Sequence, residues 1–171
     1  MSLIRTLYSW AVRLAGTLQS PFLLFVRLYW GWQIAQNGWG KLHNLPHVTE
    51  FFSSLGLPAP GPTAAFIATV EFLGGILLAA GLLSRLVGLV LSVDMLMAYI
   101  MADREALFSI FSDPDKFAAA APYTILFAAL LILIFGPGLF ALDTFLLRRF
   151  PYPASPQLAK SAAAADPGGS T

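Results

Sequence analysis

The chain has 171 residues, 57% of them hydrophobic and 11% charged, with a formal net charge of +1 and no cysteine. An ordinary soluble domain carries about 25% charged residues, so this composition leaves too few to cover a water-facing surface. The small net charge and the lack of a basic block argue against a nucleic-acid partner. The absence of cysteine excludes a disulfide framework, a thiol relay, an iron–sulfur cluster and a thiolate haem ligand, so any redox chemistry needs a borrowed cofactor.

Residues 1–19 are expected to form an amphipathic helix lying in a membrane interface. Leu3, Leu7, Ala11, Leu14 and Leu18 recur at three- and four-residue steps, with Ser2, Arg5, Ser9 and Arg13 elsewhere. The two arginines interrupt any long apolar core, which argues against a signal peptide. Ser20-Pro21 reads as an N-cap and first helical residue, starting a new helix at a new angle.

Four apolar stretches follow, from about Pro21 to Leu42, Thr63 to Leu83, Ser84 to Ala102 and Ala121 to Phe140. Each has roughly the 20 residues that a ~30 Å hydrocarbon layer requires. The expected fold is therefore all-α: an integral membrane four-helix bundle over residues 20–149, followed by a disordered tail at 150–171 that is rich in Pro, Ala, Gly and Ser. The Ser84-Arg85 junction leaves almost no loop, so the second and third spans should form a tight antiparallel hairpin. Asp113-Pro114 is expected to cap a helix that runs into the fourth span, with Pro122 kinking it.

Arg5, Arg13, Arg85, Arg148, Arg149 and Lys160 fall on one side of these spans, against Lys41, Arg104 and Lys116 on the other. The excess of positive charge on the first side places both termini in the cytoplasm. The loops 43–62 and 103–120 then face outward, and their aromatic residues beside charges suit short helices resting on the outer surface.

Three spans carry an ionisable residue well inside: Arg27, Glu71 and Asp94. Charge in hydrocarbon costs several kcal/mol unless it is paired or lines a cavity, so such residues are functional-site candidates. Arg27, Gly31, Ile34, Gly38 and Lys41 fall on one stripe of the first helix, and Ala64, Ala68, Glu71, Gly75 and Ala79 on one of the second. Small residues on both stripes allow close backbone approach and turn Arg27 and Glu71 inward. A direct Arg27–Glu71 pair requires Arg27 to reach toward the midplane. Arg85 and Asp143 share the cytoplasmic level and are expected to pair or to join a network with Arg27. Asp94 stands about 180° from Arg85 around the third helix, so the two cannot serve one site, and Asp94 meets another element or another subunit.

Each of these residues also has a purely structural reading. Intramembrane ion pairs fix helix order, and Arg85 and Asp143 near an interface are accounted for by snorkelling and topology. His43 and His47 have the spacing of a helical metal pair, but Pro46 lies between them and no third ligand is evident, so no metal is expected. The residues alone indicate a membrane protein with a buried polar cluster and show no reaction.

Arg27 in an aromatic first span, Gly38-Trp39-Gly40-Lys41-Leu42 at its outer end, Leu55-Gly56-Leu57-Pro58, Glu71-Phe72-Leu73-Gly74-Gly75 and Gly81-Leu82-Leu83-Ser84-Arg85 together resemble the DoxX family. The run Phe135-Gly136-Pro137-Gly138-Leu139-Phe140-Ala141-Leu142-Asp143 is similar to that family's fourth-span ending, which extends the resemblance over about residues 22 to 147. The resemblance implies a bacterial inner-membrane protein related to the small subunit of thiosulfate:quinone oxidoreductase. Asp94 has no match in the family pattern. The expected function is a subunit of a quinone-linked oxidoreductase or redox-stress system, in the bilayer and beside another protein subunit. Arg27, Lys41, Glu71, Arg85 and Asp143 would form its polar cluster, a quinone or proton site flanked by Trp30. The alternative is a non-enzymatic anchor or assembly subunit whose cluster is structural.

Overall fold

The computed structural model describes residues 2–149, and the expected disordered tail lies outside them. Eight helices appear among the described residues: α1 (Ser2–His43), α2 (Leu45–Ser54), α3 (Pro60–Ala80), α4 (Ser84–Met101), α5 (Arg104–Phe108), α6 (Pro114–Ala119), α7 (Pro122–Phe135) and α8 (Leu142–Arg149). No strand occurs among them, so the all-α expectation holds.

The helix α1 departs from expectation because it continues through Pro21 without a break. Ser20 does not act as a cap. Its hydroxyl accepts from the Leu139 N–H at 3.3 Å, which ties this turn to the segment after α7. At 42 residues α1 is about 63 Å long, twice the thickness of a hydrocarbon layer. Its first part stands clear of the other helices, and Leu7, Trp10, Leu14 and Leu18 are all exposed.

The α1–α3 crossing is the closest in the fold, and its cause is the two small-residue stripes. A Cβ on Gly31 would stand 2.8 Å from the Ala79 nitrogen, one on Gly38 would overlap the Phe72 nitrogen, and one on Gly75 would overlap the Ala35 nitrogen. With side chains absent, the two backbones touch, and dispersion contacts along the seam replace apolar side-chain packing. The same seam turns Arg27 and Glu71 inward; both are buried.

The helices α3 and α4 form the expected tight hairpin. Gly81 ends α3 in the left-handed region at φ +73°, its N–H bonded to the Leu78 carbonyl, and Leu83 precedes α4 at φ +51°. α4 lies along α7 as α1 lies along α3, and α3–α4 and α1–α7 contacts join the two pairs. The shared core draws Val26 and Ile34 from α1, Leu78 from α3, Leu91 from α4 and Ile132 from α7. At the C-terminal end of α4, Tyr99 stacks on Phe117 and donates to its carbonyl at 2.8 Å, fastening α4 to α6.

Two expectations about the last span need correction. Asp113 does cap a helix, accepting from the Lys116 N–H at 3.1 Å, but that helix is the six-residue α6. Ala120 is extended, at φ −67° and ψ 141°, so α7 starts afresh at Pro122 and is not kinked by it. The fourth helix also stops at Phe135 rather than Phe140. Gly136 and Gly138 both take φ +78°, and Pro137 between them has no N–H to continue the ladder.

Two helices, α3 and α4, are long and apolar enough to cross a membrane, and α7 is a shorter apolar helix of 14 residues. The outward faces of these helices are also apolar: Phe66, Leu73, Leu86, Leu89, Leu96 and Phe127 are exposed. Soluble monomers rarely expose apolar patches of that extent.

Candidate functional site

The ionisable residues of the spans divide between the two ends of the helices. At the end next to α2, the last turn of α1 brings Lys41 against Glu71 near the middle of α3, and the ammonium donates to Glu71 Oε1 at 2.5 Å. Glu71 is only 3% exposed, while the Lys41 side chain remains about one-third exposed. An ionised carboxylate at that burial needs its cation, because the desolvation cost of an unpaired charge is several kcal/mol. Glu71 Oε2 is buried without a hydrogen-bond partner.

Beside this pair lies a cavity of about 560 Å³. Lys41 comes to it from α1, Glu71 and Thr63 from α3, Asp94 from α4 and His47 from α2. The rest of its wall is apolar, formed largely by Phe51, Phe52 and Leu55 of α2 and by Met97 and Met101 of α4. Thus α2, an amphipathic helix between the first two long helices, closes one side of the site. Asp94 also has a buried, unpartnered carboxyl oxygen, Oδ2. A concave apolar chamber with a few convergent polar groups is the usual form of a small-molecule site, and its volume lies in the ~300–1,000 Å³ range of such sites.

Arg27 is elsewhere. Its guanidinium is fully buried at the other end of the helices, where Nη2 donates to the Phe140 carbonyl at 2.9 Å and Nη1 packs against Gly81. It makes no ion pair with Glu71, since the two ion pairs among the described residues are Lys41–Glu71 and Lys116–Glu105. Asp143 reaches the same junction as a cap. Its carboxylate accepts from the N–H groups of Leu83 and Ser84, each at 2.8 Å, and its own N–H donates to the Gly81 carbonyl at 2.9 Å. The negative charge thereby sits at the N-terminus of α4, where orphan donors and the helix dipole favour it. Arg85 does not pair with Asp143; its guanidinium is exposed and lies beside Gly136.

Trp30 is also remote from the cavity. Its ring packs against Tyr29 and Phe25, and it borders a separate hollow of about 240 Å³ with Gln33, Asn37 and Thr124. The aromatic side chains at the cavity are instead Phe51 and Phe52. His43 is bound to its own helix, with Nδ1 2.9 Å from the Trp39 carbonyl. No group of three or more metal-ligating side chains converges among the described residues.

Asp94 is the residue whose place the sequence left open, and depth was the signal that could have found it. Glu71 lies 11 residues from the N-terminal end of α3 and Asp94 seven residues from the C-terminal end of α4, at the same end of the hairpin. At 1.5 Å per residue these are comparable depths in antiparallel neighbours, about 16 and 10 Å.

Residues 22–104 match the DoxX family model. The chain is 28% identical over 125 residues to a protein of Bacillus subtilis (strain 168) that bears the name "Putative oxidoreductase CatD", an overlap covering 73% of this chain and 87% of the relative. No solved structure matches the chain. The stretch similar to the DoxX model holds Arg27, Lys41, Glu71, Arg85 and Asp94.

Proposed function

We propose that this chain is a multi-pass inner-membrane subunit of a quinone-linked oxidoreductase or redox-stress system, and that the cavity beside Lys41 and Glu71 receives the quinone ring. One observation carries this reading: an apolar chamber in which an ion pair and a second carboxyl group converge, walled by two helices long and apolar enough to cross a membrane. A quinone ring is flat and apolar with two carbonyl oxygens that only accept hydrogen bonds. Lys41 supplies a donor for one of them, and Phe51 and Phe52 supply apolar walls. The oxidoreductase name of the Bacillus relative points to the same class of chemistry.

In this reading residues 20–149 form the membrane domain, with α1, α3, α4 and α7 crossing as a four-helix bundle and both termini in the cytoplasm. The segment before residue 20 continues α1 past the bundle on the cytoplasmic side. The Arg27–Asp143 junction is structural: it locks the cytoplasmic ends of the helices and stays out of the ligand's path.

The test is direct. Protein purified in detergent should show saturable quenching of its tryptophans by a short-chain quinone. Lys41→Ala and Glu71→Ala should weaken that binding, whereas Trp30→Phe should leave it intact. If the wild type binds no quinone while a second protein still co-purifies with it, the chain is an anchor or assembly subunit and the quinone reading fails.

A further inference from the structure

The cavity holds one side-chain ammonium and two carboxyl groups. Lys41 is engaged with Glu71, and Asp94 faces the same apolar chamber with a buried oxygen that no protein donor reaches. His47, exposed on α2, is the remaining ionisable side chain in the wall. Two carboxylates in one apolar site repel each other and lose hydration, so the one that lacks the cation takes a proton. With Glu71 ionised against Lys41, that carboxyl is Asp94. A neutral Asp94 leaves the trio electrically balanced, and it becomes a hydrogen-bond donor where an ionised one could only accept.

We infer that Asp94 is the proton-bearing member of the trio and that it donates its O–H to a carbonyl oxygen of the ligand, an assignment that deepens the quinone reading above and rests on it for the ligand's identity. Lys41 and Asp94 then approach the chamber from α1 and α4, one donor for each end of a molecule with two acceptor oxygens. Glu71 acts as the positioning residue that holds the ammonium.

Two measurements on the full-length protein in detergent test this. Dicyclohexylcarbodiimide enters apolar sites and reacts with protonated carboxyl groups. At neutral pH it should modify Asp94 and spare Glu71, as read by peptide mass spectrometry, and a short-chain quinone should slow the modification several-fold. Binding of the same quinone should be strongest at low pH, where Asp94 is protonated, and should weaken as pH rises, through the loss of that donor. Asp94→Asn keeps a donor and should bind with little loss and without that pH dependence, whereas Asp94→Leu should bind roughly tenfold more weakly. Modification of Glu71, or of neither residue, overturns the inference. So does an Asn variant that keeps the wild-type pH dependence, since His47 or Lys41 would then be the titrating group. If the wild type binds no quinone but Asp94 alone is modified, the quinone reading falls while the proton assignment is supported.

Discussion

Arg27 and Gly81 occupy a volume that leaves no room for one more carbon: a Cβ on Gly81 would overlap Arg27 Nη1 and stand 2.8 Å from the Ala141 Cβ. Gly81 also takes φ +73°, a conformation that costs an L side chain about 1 kcal/mol or more. The buried guanidinium has little freedom to retreat, because its Nη2 is held by the Phe140 carbonyl. Gly81→Ala should therefore destabilise the protein by more than about 2 kcal/mol, through backbone strain and overpacking together. Thermal unfolding in detergent reads this, and a melting temperature equal to wild type would remove Arg27 from its place under the hairpin.

Much of this was legible in the sequence because membrane helices are read by period and composition. The stripes Arg27-Gly31-Ile34-Gly38 and Ala64-Ala68-Glu71-Gly75 follow from 100° per residue alone, and every one of these residues is buried. What the sequence hid was long-range. No local rule tells that Ser20 bonds Leu139 instead of capping a helix, so the break at Pro21 was expected where α1 runs on. Likewise Asp143 could pair with a side chain or cap a helix 60 residues away, and only the fold shows that its oxygens serve Leu83 and Ser84. The charged residues were recognised as a set, while their division between two ends depends on which helices are neighbours. Asp94 lies opposite Arg85 on its own helix, and only the packing of α4 on α3 shows that its cavity neighbour is Glu71.

The glycines of α1 allow a graded test. Gly38 meets the Phe72 backbone with no room for a methyl group, whereas Gly40, two residues on, has nothing near its added Cβ. Gly38→Ala should force the α1–α3 backbones apart and cost on the order of 1–3 kcal/mol. Gly40→Ala should be neutral or stabilising by up to about 1 kcal/mol, since alanine is the better helix former. Both are read as shifts in detergent melting, and equal shifts would contradict the close crossing.

Topology follows from the distribution of arginine and lysine. A reporter fused after Arg149 should report the cytoplasm, and one inserted near Ser54, at the end of α2, should report the outer compartment. The same experiment fixes where the cavity opens, because α2 forms part of its wall. Opposite signals would invert the protein and place the cavity on the cytoplasmic side.

The Lys41–Glu71 pair should respond asymmetrically to the loss of either partner. Glu71 is buried, so Lys41→Met strands a carboxylate in an apolar wall, at a cost of roughly 3–5 kcal/mol or the uptake of a proton. Glu71→Gln leaves an amide oxygen that can still accept from Lys41, and the ammonium, being partly exposed, can turn toward water. The second substitution should therefore cost about 1 kcal/mol, the difference between a charge-assisted and a neutral hydrogen bond. Replacing both residues together as Lys41→Met with Glu71→Leu removes the stranded charge, and this double variant should be more stable than Lys41→Met alone. Its quinone affinity should nevertheless be lost, because the donor and the residue that positions it are both gone. Chemical or thermal unfolding and quinone titration of the three variants check this order. A double variant less stable than Lys41→Met would show that Glu71 is held by something other than the ammonium of Lys41.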